Sequence, residues 1–427
     1  MPPVILDTPR HSCALGGALS TVSAITGFVP ILHAGPGCGG QVFYGQNFTS
    51  GYRGSGPLGG VSIPSTNTYE QEVVFGGEGR LREQIRTTLE LVKGDTYVVL
   101  TGCTVGLIGD DVRAVVQEFK SGKNRVVYAE TPGFKGGSNE GYEIVLNALI
   151  DQLATKKPRI KNRVNILGIV PSQDVFWQGN LSEIERILTS LGLEVNTFFN
   201  GLPLEEAGAA ALNIVLSPWV GVSVAENLKK RFGTPYIVYP LPVGATDTSA
   251  FVKKVGTTLK IKTADVIKEE EERLYQYIDR IADFLVDFDV QLHFATVSDA
   301  GYAVALNRFL VQDLGWLPSV AVITDQVPEK HRKTIHDTLK LGKGITPKIV
   351  YESDSWKIWV AVEKEKPAFI LGSSLDKDAA ERIGAWRLSI SFPVTDRVVL
   401  DRGYAGYQGA TTLIEDILSA IDRKSVV

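Results

Sequence analysis

Three α/β units of Rossmann type, each a mainly parallel sheet flanked by helices, are the architecture this sequence predicts. Two observations carry the expectation. Short apolar runs of strand length alternate with amphipathic runs of helix length along the chain, which is the order of βαβ units. The chain also has 427 residues, more than one hydrophobic core serves, so it is expected to divide.

The units follow one another in sequence. "DTYVVLTG" reads as a buried strand, "TVGLIGDDVRAVVQEFKSG" as the helix after it and "NRVVYAETP" as the next strand. The polar stretch "ATKKPRIKNR", residues 154–163, predicts a linker, with a first unit over 1–160. "RVNILGIVPS" then leads into "LSEIERILTSLGLEV", "AALNIVLSP" into "VSVAENLKKRFG", and "PYIVYPLPVG" follows, a second unit over 161–288. It closes on a charged helix at 263–288, whose "KEEEER" reads as a solvated face. The third unit, 289–427, holds "QLHFATVSD", "GYAVALNRFLVQDLG", "PSVAVITDQ", "PEKHRKTIHDTLKLG" and "PAFILGSSLDKDAAERIG".

Composition narrows the partners. Apolar residues make up 44% and charged residues 22%, ordinary for a globular protein. The net charge is −4 and the basic residues are scattered, so no stripe for nucleic acid is expected. "MPPVILDTPRHSC" lacks the basic and apolar regions of a secretory signal, and no apolar run reaches membrane-spanning length. The expected location is the cytoplasm, where thiols stay reduced. Three cysteines cannot all pair, which leaves ligation, catalysis or plain burial.

Each cysteine lies where a helix is expected to begin. Cys13 precedes "ALGGALSTVSAI", Cys38 sits in "HAGPGCGGQVFYGQNF", and Cys103 joins a strand to "TVGLIGDDV". A helix N-terminus offers free N–H groups and partial positive charge, which favour a thiolate. Nearby glycines let the backbone approach a bulky, sulfur-rich anion. Three such thiolates suit an iron–sulfur cluster better than zinc, which more often shows a C-x-x-C pair. The plain alternative is three buried cysteines acting as small apolar residues. If a cluster is present, a cubane needs four thiolates and this chain supplies three. The missing ligand then comes from elsewhere, or the cluster is shared across a subunit interface.

Other motifs carry less. "GYRGSGPLGGVSIPS", residues 51–65, is glycine-rich but lacks the phosphate-loop pattern and reads as a loop. "VFGGEGRLREQI" can present amides to an anion at a helix start, though helix entry alone explains it. His33 reads as a locally hydrogen-bonded histidine rather than an iron ligand. His11, His293, His331 and His336 show no ligand spacing, and neither G-x-S-x-G nor H-E-x-x-H occurs.

Taken together, the segments resemble a known family. "SCALGGAL", "HAGPGCGGQVFYGQNF", "VVFGGEGRLREQI", "LTGCTVGLIGDDV", "ETPGFKGGSNEGYE", "LNIVLSPW" and "SFPVTDRVVLDRGYAGYQGA" are similar in order and spacing to component 1 of nitrogenases. The last two resemble the β-type subunit rather than the α-type. The resemblance implies an α-type partner, usually in an α2β2 complex. It also implies an [8Fe–7S] P-cluster at the αβ interface, with three cysteines from each side. By position Cys13, Cys38 and Cys103 are the β-side ligands. The iron-containing active-site cofactor then belongs to the partner, because its anchoring cysteine aligns near Ser217 and no histidine follows in "SFPVTDRV". Electrons would come from an ATP-dependent [4Fe–4S] iron protein.

Three departures separate this chain from the molybdenum-type β subunit. Only twelve residues precede Cys13, the stretch between Cys38 and Cys103 is longer, and Gly133 in "TPGF" stands where some members carry a serine ligand. A nitrogenase-like reductase acting on another small substrate, such as a methylthio-alkane, is therefore expected beside dinitrogen reduction. The alternatives are a cofactor-assembly scaffold subunit of the same family, an enzyme of the protochlorophyllide-reductase kind with a four-iron cluster, and a small-molecule binding module. Iron content separates them.

Overall fold

The computed structural model describes residues 8, 10–51, 63–120, 125–282 and 292–425. Among these residues three separate sheets are present, and every strand pair described in them is parallel. The first contains β1 (Phe28–His33), β2 (Thr96–Thr101) and β3 (Arg125–Ala129), in that order. The second has the order β5-β4-β6-β7, from β4 (Ile160–Leu167), β5 (Glu194–Asn196), β6 (Ala210–Val215) and β7 (Tyr236–Val238). The third comprises β8 (His293–Ser298), β9 (Leu317–Ile323), β10 (Lys348–Tyr351), β11 (Phe369–Gly372) and β12 (Trp386–Ser389). Their order is β10-β9-β8-β11-β12. The α/β class expected from the alternating pattern is the one observed. β2 shows why: all six residues of "TYVVLT" are buried, as a central parallel strand covered on both faces requires.

Two sequence expectations change in detail. The polar stretch at 154–163 is not all linker, since β4 starts at Ile160. Arg163 pairs there with Glu194 and Glu206, which lets a charged residue sit inside the strand. The charged helix is formed over Ala264–Asp279, while 283–288 lie outside the described residues, as do 52–62 of the glycine-rich stretch. Its "KEEEER" is not simply a solvated face. Glu270 pairs with Arg186, and Glu271 accepts a hydrogen bond from Ser249.

The three sheets share their cores. Ile214, Phe251, Phe294, Phe369 and Tyr407 belong to one buried cluster, and the C-terminal helix (Gly406–Ser425) packs on the helix Gly244–Leu259. A second cluster joins Leu19 and Leu146 to Val215 and Val304. Around the first sheet lie α1 (Ala14–Ala24), α2 (Pro36–Thr49), α3 (Glu70–Phe75), α4 (Glu78–Leu91), α5 (Cys103–Ile108) and α6 (Ser138–Leu153). β1 and β2 are in register from Phe28↔Thr96 to His33↔Thr101. Their C-terminal ends therefore lie side by side and launch α2 and α5 from one edge.

Candidate metal centre

All three cysteines sit in the first turn or cap of a helix. Cys13 is the residue before α1, in extended conformation. Its neighbours are pinned to the start of α6. Ala14 N donates to Gly136 O at 2.8 Å, Ser12 N donates to Ser138 Oγ at 3.1 Å, and that hydroxyl donates back to Ser12 O. Cys38 is the third residue of α2, so this helix begins before the cysteine rather than after it. Pro36 opens the helix, where a missing N–H costs nothing. Cys103 is the first residue of α5, immediately beyond Gly102, whose amide donates to His33 O at 2.8 Å.

Two of the sulfurs, those of Cys13 and Cys103, converge on Gly133. A Cβ built at Gly133 would stand 3.1 Å from Cys103 Sγ and 3.2 Å from Cys13 Sγ. The Gly133 amide already donates to Cys103 Sγ at 3.1 Å, the backbone-to-sulfur bond that the glycine-rich setting anticipates. Cys38 joins them electrostatically. Burial pushes its thiol pKa up, and the nearby Cys103 and Cys13 sulfurs push it the same way. The Gly35 backbone bond pulls the other way but does not offset them. Cys13 and Cys103 are exposed and Cys38 is half-buried, so two of the three are not small apolar core residues. Among the described residues no group of three or more His, Cys, Asp or Glu side chains is placed to hold a metal ion.

Behind the cysteines the backbone is stitched by one carboxylate that the sequence did not single out. His33 is fully buried and bonds through Nδ1 to Thr66 Oγ1 and through Nε2 to Asp110 Oδ2, at 3.1 and 3.0 Å. The local hydrogen-bonding role expected for His33 is the one found. Asp110 also accepts from the Gly77 amide at 3.0 Å. The amide at the start of α4 does meet an anion, and the anion is the chain's own. Burial lowers the His33 pKa despite Asp110. A neutral ring donating from Nε2 and accepting at Nδ1 satisfies both contacts.

Large apolar side chains border the cysteine face. Leu107 on α5 and Phe134, next to Gly133, are 76% and 58% exposed, and Val74 and Phe75 on α3 are also exposed. Apolar groups gathered at one place on a surface mark a contact site.

Ser217 lies elsewhere, at the C-terminal end of β6, beside a cavity of about 40 Å³. Its hydroxyl accepts from the Trp219 and Val220 amides at 3.4 and 3.1 Å. That space suits a water or two and no larger group.

The family profile described as "Nitrogenase component 1 type Oxidoreductase" matches residues 13–422, a span that contains all three cysteines. The chain belongs to this family of oxidoreductases. Within it the chain is of the β type. It is 26% identical to a nitrogenase molybdenum-iron protein beta chain of Methanococcus maripaludis, over 97% of this chain and 94% of the relative. It is 25% identical to a protein of the same description from Frankia alni, over 97% and 83%. Against a nitrogenase vanadium-iron protein beta chain of Trichormus variabilis the identity is 23%, over 97% and 93%. A solved structure titled "Nitrogenase Cp1 at pH 6.5" superposes with a TM-score of 0.84 at 19% identity, over 99% of this chain and 95% of that one, which establishes the shared fold. No helix among the described residues is long and apolar enough to cross a membrane.

Proposed function

We propose that this chain is the electron-relaying β-type subunit of a nitrogenase-like reductase. Cys13, Cys38 and Cys103 hold one half of an [8Fe–7S] cluster of P-cluster type, and three cysteines of an α-type partner hold the other half in an α2β2 assembly. Electrons arrive from an ATP-dependent [4Fe–4S] iron protein. They pass to an iron-containing cofactor in the partner, where dinitrogen or another small substrate such as a methylthio-alkane is reduced.

One observation carries the reading: the Cys13 and Cys103 sulfurs meet at Gly133 on an exposed face, with Cys38 near enough to interact with both, and among the described residues no site for a single ion is formed. Such a donor set fits a multi-iron cluster completed from outside. When bound, the cluster supplies one-electron storage and transfer. The chain's residues do the rest. The three helix starts present partial positive charge to thiolate sulfurs, and the Gly133 amide donates to Cys103 Sγ. The exposed Leu107, Phe134 and Phe75 give a partner apolar surface to cover, which keeps water from the sulfurs.

The test is copurification with the α-type partner, then iron counting and EPR in reduced and oxidised states. Eight irons per αβ interface support the reading. Four point to the assembly scaffold or a four-iron enzyme, and none overturns cluster binding.

A further inference from the structure

Three residues ahead of Cys13, Arg10 is buried, 2% exposed, and so is its partner Asp376, 1% exposed. The two form a two-pronged pair: Arg10 Nη1 donates to Asp376 Oδ2 at 2.8 Å and Nη2 to Oδ1 at 2.7 Å. Nη1 also donates to Ser373 Oγ at 2.8 Å, and the Ser373 amide holds Asp376 Oδ2 at 2.7 Å. Asp376 lies just beyond β11 of the third sheet, 366 residues away in sequence. The Arg10 carbonyl accepts from Gln173 Nε2 at 3.3 Å, and two residues later Ser12 is held by Ser138. The arm that carries Cys13 is therefore tied to all three sheet-bearing regions within three residues.

We propose that the Arg10–Asp376 pair is a positioning device for the Cys13 thiolate, an inference that rests on Cys13 being a cluster ligand. Cys13 itself has no side-chain cap bond; its backbone is bridged to Gly137 at the start of α6, and the Arg10 pair fixes the arm just ahead of that bridge, where it is neither strand nor helix. A buried guanidinium held by both oxygens of a carboxylate cannot slide or turn without stranding two charges away from water. The register of the arm is thereby set from the third sheet, and the sulfur that begins α1 is delivered to the place where Cys103 and Gly133 meet. Asp376 touches no ligand in this arrangement. It acts through Arg10.

The experiment uses the complex copurified with the α-type partner. Arg10→Met combined with Asp376→Asn removes both charges together and strands neither, so the chain folds and assembles. Three results are expected: cluster iron at half the wild-type level or less, an altered EPR spectrum from the cluster that remains, and hydrogen exchange of the Ser12 and Ala14 amides faster by about tenfold, equivalent to roughly 1.4 kcal/mol of lost tethering. Arg10→Lys keeps the charge without the fork and falls between. A double variant that melts earlier but keeps full iron and an unchanged spectrum overturns the inference, because the pair is then purely structural. Absence of cluster iron in the wild-type complex overturns the ligand assignment, and this inference with it. The wild-type arm therefore distinguishes the two failures.

Discussion

Gly17 on α1 and Gly141 on α6 each bring the crossing of these two helices to backbone contact. A Cβ on Gly17 would stand 2.0 Å from Ser138 O, and one on Gly141 would stand 2.0 Å from Ala14 O. At these two positions only main chain fits, and Ala14 is the residue after Cys13. We predict that Gly141→Ala forces the helices apart, at a cost of about 1–3 kcal/mol, and draws Cys13 away from Cys103. Thermal unfolding and iron content measured together check this. A variant that loses stability but keeps all its iron shows that the crossing does not place the ligand.

Replacing Cys13, Cys38 or Cys103 singly with alanine is predicted to remove most of the cluster iron while the chain stays folded. Cys38 differs from the others in packing against the core, so Cys38→Ala also lowers stability by about 1 kcal/mol. Iron analysis of the three complexes decides, and full iron in all three would refute the ligand assignment.

At Gly133 a serine would bring its Cβ to 3.1–3.2 Å from two sulfurs, which must yield by a few tenths of an ångström. Its hydroxyl would then lie beside them, within reach of iron that they hold. Loss of the hydroxyl proton on oxidation gives an oxygen ligand that favours the oxidised state. We predict that Gly133→Ser lowers the potential and adds a dependence of about 30 mV per pH unit, for one proton leaving with two electrons. Redox titration at two pH values checks it. An unchanged potential and slope at full iron content would count against the proposed place of the cluster.

His33 makes a pH prediction for stability. Burial lowers its folded pKa below the ordinary 6.5, so the unfolded chain binds the proton more readily. Its contribution to stability is complete above pH 6.5 and declines as pH falls from there toward the folded pKa. His33→Gln is expected to be less stable at pH 8, having lost the Asp110 bond, with the deficit narrowing in acid. Denaturant unfolding at pH 8 and 5.5 measures it, and a deficit that does not narrow contradicts the assignment.

Much of this was legible in the sequence, for identifiable reasons. Strands such as "TYVVLT" announce themselves because burial on both faces demands an unbroken apolar run. The three cysteines stood out through rarity and through their place at helix starts; the structure brings Cys13 and Cys103 together at Gly133, with Cys38 near enough to interact with both. His33 could be read as hydrogen-bonded, but Asp110 as its partner could not. That pairing depends on how β1 and the segment after α5 lie in space. Arg10 left no signal at all, since an arginine in "DTPRHSC" looks solvated until residue 376 arrives. The burial of Cys38 and the two sulfurs that act on it were not legible for a related reason, because both belong to the tertiary fold. "KEEEER" misled through composition, which does not show that Arg186 waits for Glu270.

The Arg10–Asp376 pair also has a consequence in time. The carboxylate that fixes the Cys13 arm is synthesised 366 residues after Arg10. At about 5–20 residues per second that gap lasts roughly 20–70 s. During it the nascent chain carries thiols whose final placement does not yet exist. With Cys13 as the proposed ligand, iron that arrives before Asp376 is made would find an unfinished cradle, so loading is predicted to follow the folding of the third sheet.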